Sequence, residues 1–257
     1  MPHPIDCSGK AVIVTGGCRG IGRGIAARFL EAGADVVICC RHRPDELPAA
    51  EGRQAVFVEA DVRDPDQVAQ VVASCTERFG RLDVLVNNAG GSPPAEAATA
   101  SPRFSEAIVR LNLLAPLAFA QQANAVMQAQ PEGGVIINIG SVSGLRPSPG
   151  TVAYGAAKAG LINLTQTLAV EWAPKVRVNC VTPGLVLTER ADLFYGDEET
   201  QSRVAATVPA GRMAEATDVA DACLFLASPM ATYASGANLV LHGGGEWPAY
   251  LGQVDRG

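Results

Sequence analysis

The 257-residue sequence has little histidine, no C-x-x-C pair, no excess of basic residues and no apolar run long enough to cross a bilayer. Its three histidines, His3, His42 and His242, are scattered, so we expect no metal site. Asp and Glu (26) outnumber Lys and Arg (20), and the net charge of −6 argues against a nucleic-acid-binding protein. Residues 1–9 show no basic, apolar and small-residue pattern, so we expect neither a secretory signal nor a membrane anchor, and a cytoplasmic location.

Cysteine is present but is not arranged for a structural framework. The count is odd, and the residues are Cys7, Cys18, Cys39, Cys40, Cys75, Cys180 and Cys223. A disulfide framework usually has an even number of cysteines, and a zinc site usually has closely spaced cysteine pairs. We therefore expect reduced thiols that act as small apolar residues. Cys39 and Cys40 are neighbours on an apolar run and would point to opposite faces of a strand.

The sequence does contain short apolar runs that alternate with stretches of helical period. With 48% hydrophobic residues it can bury a large core. Strands are predicted at Ala11–Val14, Val36–Cys40, Ala55–Val58, Leu82–Val86, Val135–Ile139, Val176–Val181 and Asn238–Leu241. Helices are predicted at Ile21–Ala32, Val68–Phe79, Ser105–Met127 (one or two), Tyr154–Trp172 and Thr217–Leu226. Strands that are apolar on both faces, each followed by a helix, indicate a doubly wound parallel α/β sheet of the Rossmann type with about seven strands.

No long linker interrupts this pattern, so we expect one domain over residues 1–257. Two irregular stretches stand out, residues 91–102 and 185–213. Such stretches are usually surface loops, but in doubly wound sheets they often border the ligand site. The tail, residues 246–257, carries Trp247 and Tyr250 and is apolar enough to pack, for example on a neighbouring subunit.

The first predicted strand runs directly into a glycine-rich segment, residues 15–22, and then into a helix. Gly16, Gly20 and Gly22 would let the backbone turn sharply and approach a pyrophosphate, and the helix N-terminus offers free N–H groups. An ordinary tight turn is the alternative interpretation. The strand–loop–helix setting favours a nucleotide site.

A second group of residues indicates proton chemistry. Tyr154 and Lys158 are four apart in a helical stretch, which places them on one face. An ammonium near a phenol lowers the phenol's pKa from about 10. A tyrosine of this kind could exchange a proton with an alcohol or carbonyl oxygen near neutral pH. Alone, such a pair is usually no more than a half-exposed helix face.

Together, these patterns resemble the short-chain dehydrogenase/reductase family over nearly the whole chain. The resemblance rests on the G-x-x-x-G-x-G spacing from Gly16, on Asp61-Val62, on Asn87-Asn88-Ala89-Gly90, on Tyr154 with Lys158, and on Pro183-Gly184 followed by Thr188. It implies a nicotinamide cofactor bound by Gly16, Arg19, Gly20, Ile21, Gly22, Arg41, Asp61, Val62, Asn88, Ala89, Gly90, Tyr154, Lys158, Pro183, Gly184, Val186 and Thr188.

The resemblance also implies a catalytic set. Ser141 stands where the family places a serine that holds the substrate oxygen, and Tyr154 would exchange the proton. Lys158 would hydrogen-bond the nicotinamide ribose, and Asn112 would hold a water that relays protons towards it. The implied reaction is reversible hydride transfer between a nicotinamide cofactor and a secondary alcohol or ketone.

The choice between NADP and NAD depends on the end of the second strand. NAD-using relatives usually have Asp or Glu at the position that aligns with Cys40, where the carboxylate holds the ribose hydroxyls. Arg41 follows, and Arg19 lies in the glycine loop; guanidinium groups suit a 2′-phosphate. We expect NADP(H), with NAD(H) as the second choice. Stacking of Arg41 on adenine, with Arg19 and Arg43 solvated, is the alternative.

Three positions depart from the family's usual pattern. Gly140 stands where a second serine is common, Ala157 where serine is frequent, and His242 where aspartate precedes the next two glycines. None of these positions carries a catalytic group. The His242 change places a local loop or interface contact in question.

The substrate is less well defined. Its walls are expected at residues 92–94, 142–148 and 185–208. They contain Leu145, Pro147, Leu187, Leu193, Phe194 and Tyr195, with Arg146 and Arg190 nearby. A 3-oxoacyl thioester, a steroid-like ketone and a simple ketone all fit.

A catalytically silent nucleotide sensor or scaffold of the same fold is the rival function. Epimerases and dehydratases of this fold need a C-terminal sugar-binding region for which the chain has no room. Relatives of this length are commonly homotetramers.

Overall fold

The computed structural model describes residues 5–247, and its centre is a seven-stranded parallel sheet. The strands are β1 (Ala11–Thr15), β2 (Asp35–Cys40), β3 (Val56–Glu59), β4 (Val84–Asn87), β5 (Gly134–Ile139), β6 (Val176–Pro183) and β7 (Asn238–Leu241). Their order is β3-β2-β1-β4-β5-β6-β7, and every pairing in this sheet is parallel. The chain adds β2 and β3 on one side of β1 and then β4 to β7 on the other side. The topological switch point of the sheet therefore lies between β1 and β4. The predicted doubly wound fold is confirmed.

Helices cover both faces of this sheet. They are α1 (Gly20–Glu31), α2 (Pro65–Phe79), α3 (Pro102–Val109), α4 (Ala115–Ala129), α5 (Val152–Glu171), α6 (Asp192–Tyr195), α7 (Glu198–Ala206) and α8 (Ala216–Ala227). Alternate side chains of β1 enter two separate cores. Val12 and Val14 pack with α1 and α8 on one face, and Ile13 packs with α2 and α4 on the other.

The helical stretch after the fourth strand is divided by a local irregularity. Ser101 begins α3 by accepting a hydrogen bond from the Phe104 N–H (3.2 Å), and Pro102 follows as the first helical residue. A turn of π-helix, Arg110–Leu114, then separates α3 from α4. Such turns are frequent at functional sites, and this one contains Asn112.

The stretch at residues 185–213 was predicted to be irregular, yet it contains two short helices. Asp197 begins α7 by accepting a hydrogen bond from the Thr200 N–H (2.9 Å). The helix has no buried residue, so its sequence lacks the apolar period by which helices are recognised. The base of the segment is closed by a bridge between Val186 and Ala214. We call the residues between these two positions, 187–213, the substrate loop.

No helix within residues 5–247 is both long enough and apolar enough to span a membrane. The predicted packing of Tyr250 in the tail, and the position of His3, fall outside the described residues.

Candidate active site

The polar residues singled out in the sequence meet at the carboxyl edge of the central sheet. Ser141 lies two residues beyond the end of β5, and its Oγ accepts a hydrogen bond from the Ser143 N–H (3.2 Å). Tyr154 and Lys158 lie on the first turns of α5, with the Lys158 Nζ 5.6 Å from the centre of the tyrosine ring. The edge therefore brings a hydroxyl, a phenol and an ammonium into one region.

Lys158 is buried, and it is held by the main chain. Its Nζ donates a hydrogen bond to the carbonyl oxygen of Ile139 (2.7 Å), at the end of β5. Burial disfavours the charged ammonium and lowers the pKa of Lys158 to about 8. The lysine therefore remains mainly protonated at neutral pH.

The expected lowering of the Tyr154 pKa is wrong for this structure. Burial raises the pKa of the Tyr154 phenol, and a hydrogen bond with Ser141 offsets this only in part. Lys158 has no effect of comparable size because its ammonium is directed at Ile139, and burial opposes the phenolate. The tyrosine is thus held in its protonated form.

Asn112 joins the π-helical turn to the loop after β4. Its Nδ2 donates to the carbonyl oxygens of Gly91 (3.0 Å) and Ile108 (2.9 Å), and its Oδ1 accepts from the Gly91 N–H (2.8 Å). A Cβ at Gly90 would lie 2.7 Å from Asn112 Oδ1 and 3.4 Å from Lys158 Nζ. Both amide hydrogens of Asn112 are used, so its side chain can only accept a further hydrogen bond.

The glycine loop is fastened to its neighbours on two sides. Gly16, with a φ of +66°, donates its N–H to the Cys39 carbonyl (2.9 Å), and the Asn88 Nδ2 donates to the Thr15 carbonyl (2.9 Å). A Cβ at Gly22 would collide with Gly16 and with the Asn88 side chain. The loop therefore requires glycine for close packing, which fits the glycine-rich cradle of a dinucleotide.

The N-terminus of α1 already binds an anionic group. The Gly20 N–H donates to a carboxylate oxygen of Glu189 (2.7 Å), which follows Thr188 in the substrate loop. A Cβ on Gly20 would lie 3.6 Å from Thr188 Cγ2, so the two predicted cofactor residues are adjacent. A carboxylate at this N–H shows that the loop accepts negative charge at the point where a pyrophosphate is expected.

The adenine-side residues lie at the carboxyl ends of β2 and β3. Asp61 forms an ion pair with Arg63, and hydrogen bonds from that guanidinium lower the pKa of Asp61 to about 2. Val62 is buried. Arg19 and Arg41 are exposed, and neither has an ion pair among residues 5–247. The Asp61 carboxylate is therefore bound by Arg63 and is not free to bind a ligand.

The remaining predicted residues come from the end of β6. Pro183 is buried, and the Gly184 N–H donates to the Leu241 carbonyl of β7 (2.8 Å). A Cβ on Gly184 would lie 3.0 Å from the main chain of His242, so the segment is packed on the last strand. Val186 follows and pairs with Ala214 at the base of the substrate loop.

The expectation that all cysteines are reduced is wrong for one pair. Cys18, in the glycine loop, is disulfide-bonded to Cys40, the last residue of β2, with 6.4 Å between their Cα atoms. The carboxyl ends of β1 and β2 are adjacent in a parallel sheet, so residues just past both strands meet. Spacing along the chain hides this contact, but the predicted sheet edge could have indicated it. The other five cysteines are free and buried.

Sequence reasoning also missed three polar features. The Thr15 hydroxyl accepts from the N–H groups of Asn88 (2.9 Å) and Ala89 (3.0 Å), which fixes the loop after β4. The hydroxyl groups of Ser143, Ser148 and Thr151 form a hydrogen-bonded chain beside Ser141. Arg146 forms an ion pair with Glu246. Hydroxyl residues in loops have no periodic signal, so only the fold brings them together.

Comparison with known proteins identifies the family. A family model described as enoyl-(acyl carrier protein) reductase matches residues 16–246. An uncharacterized oxidoreductase of Mycobacterium tuberculosis is 35% identical over 93% of this chain and 93% of its own. L-Rhamnose 1-dehydrogenase (NAD(P)(+)) of Azotobacter vinelandii is 38% identical over 91% of this chain and 96% of its own. The chain belongs to the short-chain dehydrogenase/reductase family.

Solved structures agree with this assignment. The ligand-free aldohexose dehydrogenase of Thermoplasma acidophilum has a TM-score of 0.85 and 32% identity, covering 91% of this chain and 93% of that one. As a short-chain dehydrogenase/reductase, the chain is an NAD(P)-dependent oxidoreductase acting on CH–OH groups.

Proposed function

We propose that the protein catalyses reversible hydride transfer between NADP(H) and a secondary alcohol or ketone, with NAD(H) as the weaker cofactor. The observation that carries this proposal is the meeting of Tyr154, Lys158 and Ser141 with the glycine loop at one edge of the sheet. When bound, the nicotinamide supplies or accepts the hydride.

Tyr154 acts on the proton at the substrate oxygen. Because burial raises its pKa, the phenol is protonated at neutral pH and can donate to a carbonyl oxygen during reduction. In the reverse direction, the phenolate oxygen takes the hydroxyl proton of the alcohol. The Ser141 hydroxyl holds the same substrate oxygen and hydrogen-bonds Tyr154.

Lys158 and Asn112 support this proton exchange. The buried Lys158 ammonium lies 5.6 Å from the Tyr154 ring, and its attraction for the phenolate is smaller than the opposing effect of burial. It also holds the nicotinamide ribose. Asn112 fixes the loop at Gly91 and offers a remaining acceptor for a water that relays protons to Lys158.

The cofactor preference follows from the residues around the adenosine end. Cys40 replaces the carboxylate that would hold two ribose hydroxyls and repel a phosphate. The guanidinium groups of Arg19 and Arg41 are exposed and have no ion pair among the described residues, so both can meet a 2′-phosphate. Gly16, Gly20, Ile21, Gly22 and the Asn88–Gly90 loop hold the rest of the nucleotide.

The substrate we propose is a medium-sized, partly apolar carbonyl compound or alcohol. Leu145, Leu187 and Phe194 expose apolar surface near the site. The hydroxyl chain of Ser143, Ser148 and Thr151 adds polar contacts, which suit a hydroxylated substrate. Two relatives named above are sugar dehydrogenases, so aldoses belong in the tests beside 3-oxoacyl thioesters, steroid-like ketones and simple ketones.

A homotetramer is the assembly we propose. Val152 and Val170 of α5 are 57% and 80% exposed, which leaves apolar surface on the helix that carries Tyr154. Size-exclusion chromatography with light scattering measures the assembly directly, and a monomer at micromolar concentration would contradict it.

The decisive experiment is a panel of these substrate classes, measured in both directions with NADPH/NADP and with NADH/NAD. We expect turnover with at least one class and a higher kcat/KM with the phosphorylated cofactor. Cofactor binding without turnover across the whole panel would instead support a silent nucleotide sensor. A strong preference for NAD(H) would overturn the interpretation of Cys40 and the two arginines.

A further inference from the structure

The disulfide between Cys18 and Cys40 joins the two segments that flank the proposed adenosine site. Cys18 lies between Gly16 and Gly20 of the glycine loop, and Cys40 is the last residue of β2. Both side chains are half-buried, whereas the five free cysteines are buried. The pair is therefore the one that a small oxidant or thiol can reach among the described residues.

The backbone holds these two residues together independently of the sulfur–sulfur bond. The Gly16 N–H donates to the Cys39 carbonyl (2.9 Å), and a Cβ on Gly17 would collide with the Ile38 side chain. The Cα–Cα distance of 6.4 Å lies in the range that disulfides occupy. Reduction would therefore leave two thiols close enough to form the bond again.

The charge around the pair also favours thiol chemistry. Arg19 follows Cys18 and Arg41 follows Cys40, and both arginines are exposed without an ion pair among residues 5–247. Positive charge next to an accessible thiol is typical of redox-active cysteines, because the thiolate is the attacking species. The same two arginines are those proposed for the 2′-phosphate.

We infer that Cys18 and Cys40 form a reversible redox site that controls cofactor binding, with the dithiol as the binding-competent form. This inference rests on the proposed function. Cys40 occupies the position from which a residue contacts the adenosine ribose, and the disulfide directs its side chain to the glycine loop instead.

The oxidant class is a low-molecular-weight disulfide such as oxidised glutathione. One cysteine thiolate attacks a glutathione sulfur, forming a mixed disulfide and releasing one glutathione thiolate. The second cysteine thiolate then displaces the other glutathione and closes the Cys18–Cys40 bond. The two cysteine sulfurs lose two electrons, and two glutathione thiols carry away the electrons and the two protons.

The test compares one protein in two thiol states. Wild-type protein is equilibrated with defined ratios of reduced and oxidised glutathione, and the Cys18–Cys40 bond is quantified by differential alkylation and peptide mass spectrometry. NADPH affinity is measured on the same samples by fluorescence. We expect the oxidised form to bind NADPH at least about tenfold more weakly, with full recovery on reduction.

Two variants locate the effect. The double variant Cys18→Ser/Cys40→Ser, which has neither thiol and so cannot form a mixed disulfide at this pair, should bind NADPH equally at every glutathione ratio. Cys39→Ala, the matched control next to Cys40 but buried against the core, should keep the wild-type redox response. If only Cys39→Ala loses the redox response, the responding sulfur is that of Cys39, and the inference about Cys18 and Cys40 is wrong.

The outcomes separate this inference from the proposed function. Equal NADPH affinity of the two thiol states, or no Cys18–Cys40 bond at any glutathione ratio, would overturn the redox site and leave the oxidoreductase assignment intact. Absence of nicotinamide cofactor binding in both thiol states would overturn the proposed function and the inference with it.

Discussion

Lys158 and Asn112, at the chemical end of the candidate site, are buried and donate hydrogen bonds to main-chain carbonyl groups. Arg19 and Arg41, at the nucleotide end, are exposed and have no ion pair among residues 5–247. The first pair is fixed by the fold, so a change there affects packing and chemistry together. The second pair has no ion pair that holds its side chains in place. Substitutions of Arg19 or Arg41 can therefore change cofactor specificity at little cost in stability.

The strongest test of the chemical end is Tyr154→Phe. Removing the phenolic oxygen removes the proposed acid and base, and we expect kcat to fall by about 10³-fold, since positioned acid–base groups contribute roughly 10²–10⁴. NADPH affinity should stay within a few-fold of wild type. Steady-state kinetics and fluorescence titration measure the two quantities, and near-normal turnover would remove Tyr154 from the mechanism.

The nucleotide end is tested by Arg41→Ala. Loss of a charge-assisted hydrogen bond to a 2′-phosphate should weaken NADPH binding by about tenfold or more, and NADH binding should hardly change. Arg43→Ala is the matched control, because Arg43 lies 5.5 Å from the ring centre of Phe57 and has no proposed ligand contact. Equal losses for both cofactors would show that Arg41 stacks on adenine instead of binding phosphate.

The buried lysine predicts a dependence of stability on pH. Its pKa in the folded protein is about 8, below the ordinary 10.5, so the unfolded chain binds more protons between these values. Lys158 should therefore contribute a rise in the free energy of unfolding through this window, of about 1–2 kcal/mol between pH 8 and 9.5. The buried thiols, whose pKa burial raises, contribute a fall over the same pH range, so the part due to the lysine is obtained by comparing two proteins.

Urea unfolding at pH 8.0 and 9.5 measures this change, with Lys158→Met as the comparison. The methionine variant lacks the titrating group and should lose that part of the rise. If both proteins respond equally to pH, other groups cause the effect and burial of Lys158 has no part in it.

The smallest expected effect concerns Glu189. Its carboxylate occupies the Gly20 N–H, so a bound pyrophosphate must displace it. Glu189→Gln keeps the shape but removes the negative charge, and we expect NADPH affinity to improve about two- to fivefold. Glu199→Gln, on the exposed surface of α7, is the control for general charge effects and should leave the affinity unchanged.

The sheet was predictable because each strand is a short and mainly apolar segment of the right length. The strand Asn238–Leu241 was predicted to the residue, and the other six differ by one or two residues at their ends. The polar helix α7 was not predictable, since nothing in residues 198–206 has an apolar period. The Asp197 side chain caps the N-terminus of that helix, and a capping residue alone is a weak signal for a helix in a sequence.

For the candidate site, the sequence predicted which residues meet but not their electrostatics. Resemblance and spacing placed Ser141, Tyr154 and Lys158 at one edge. They could not show that Lys158 points at the Ile139 carbonyl, or that burial raises the pKa of Tyr154. Nor did they show the bond between Cys18 and Cys40, which follows only when the ends of β1 and β2 are recognised as neighbours in the sheet.

The bridge between Val186 and Ala214 has a practical consequence for protein engineering. The two ends of the substrate loop are held side by side by the hydrogen bonds from the Leu187 N–H to the Ala214 carbonyl (2.7 Å) and from the Ala214 N–H to the Leu185 carbonyl (2.9 Å). Residues 187–213 thus form an exchangeable segment whose attachment points are defined by this bridge. A loop from another dehydrogenase that keeps threonine at position 188, joined at the same two positions, would test whether this segment sets the substrate range. Because Tyr195 contributes to the raised pKa of Tyr154, the pH profile of the hybrid should be measured as well.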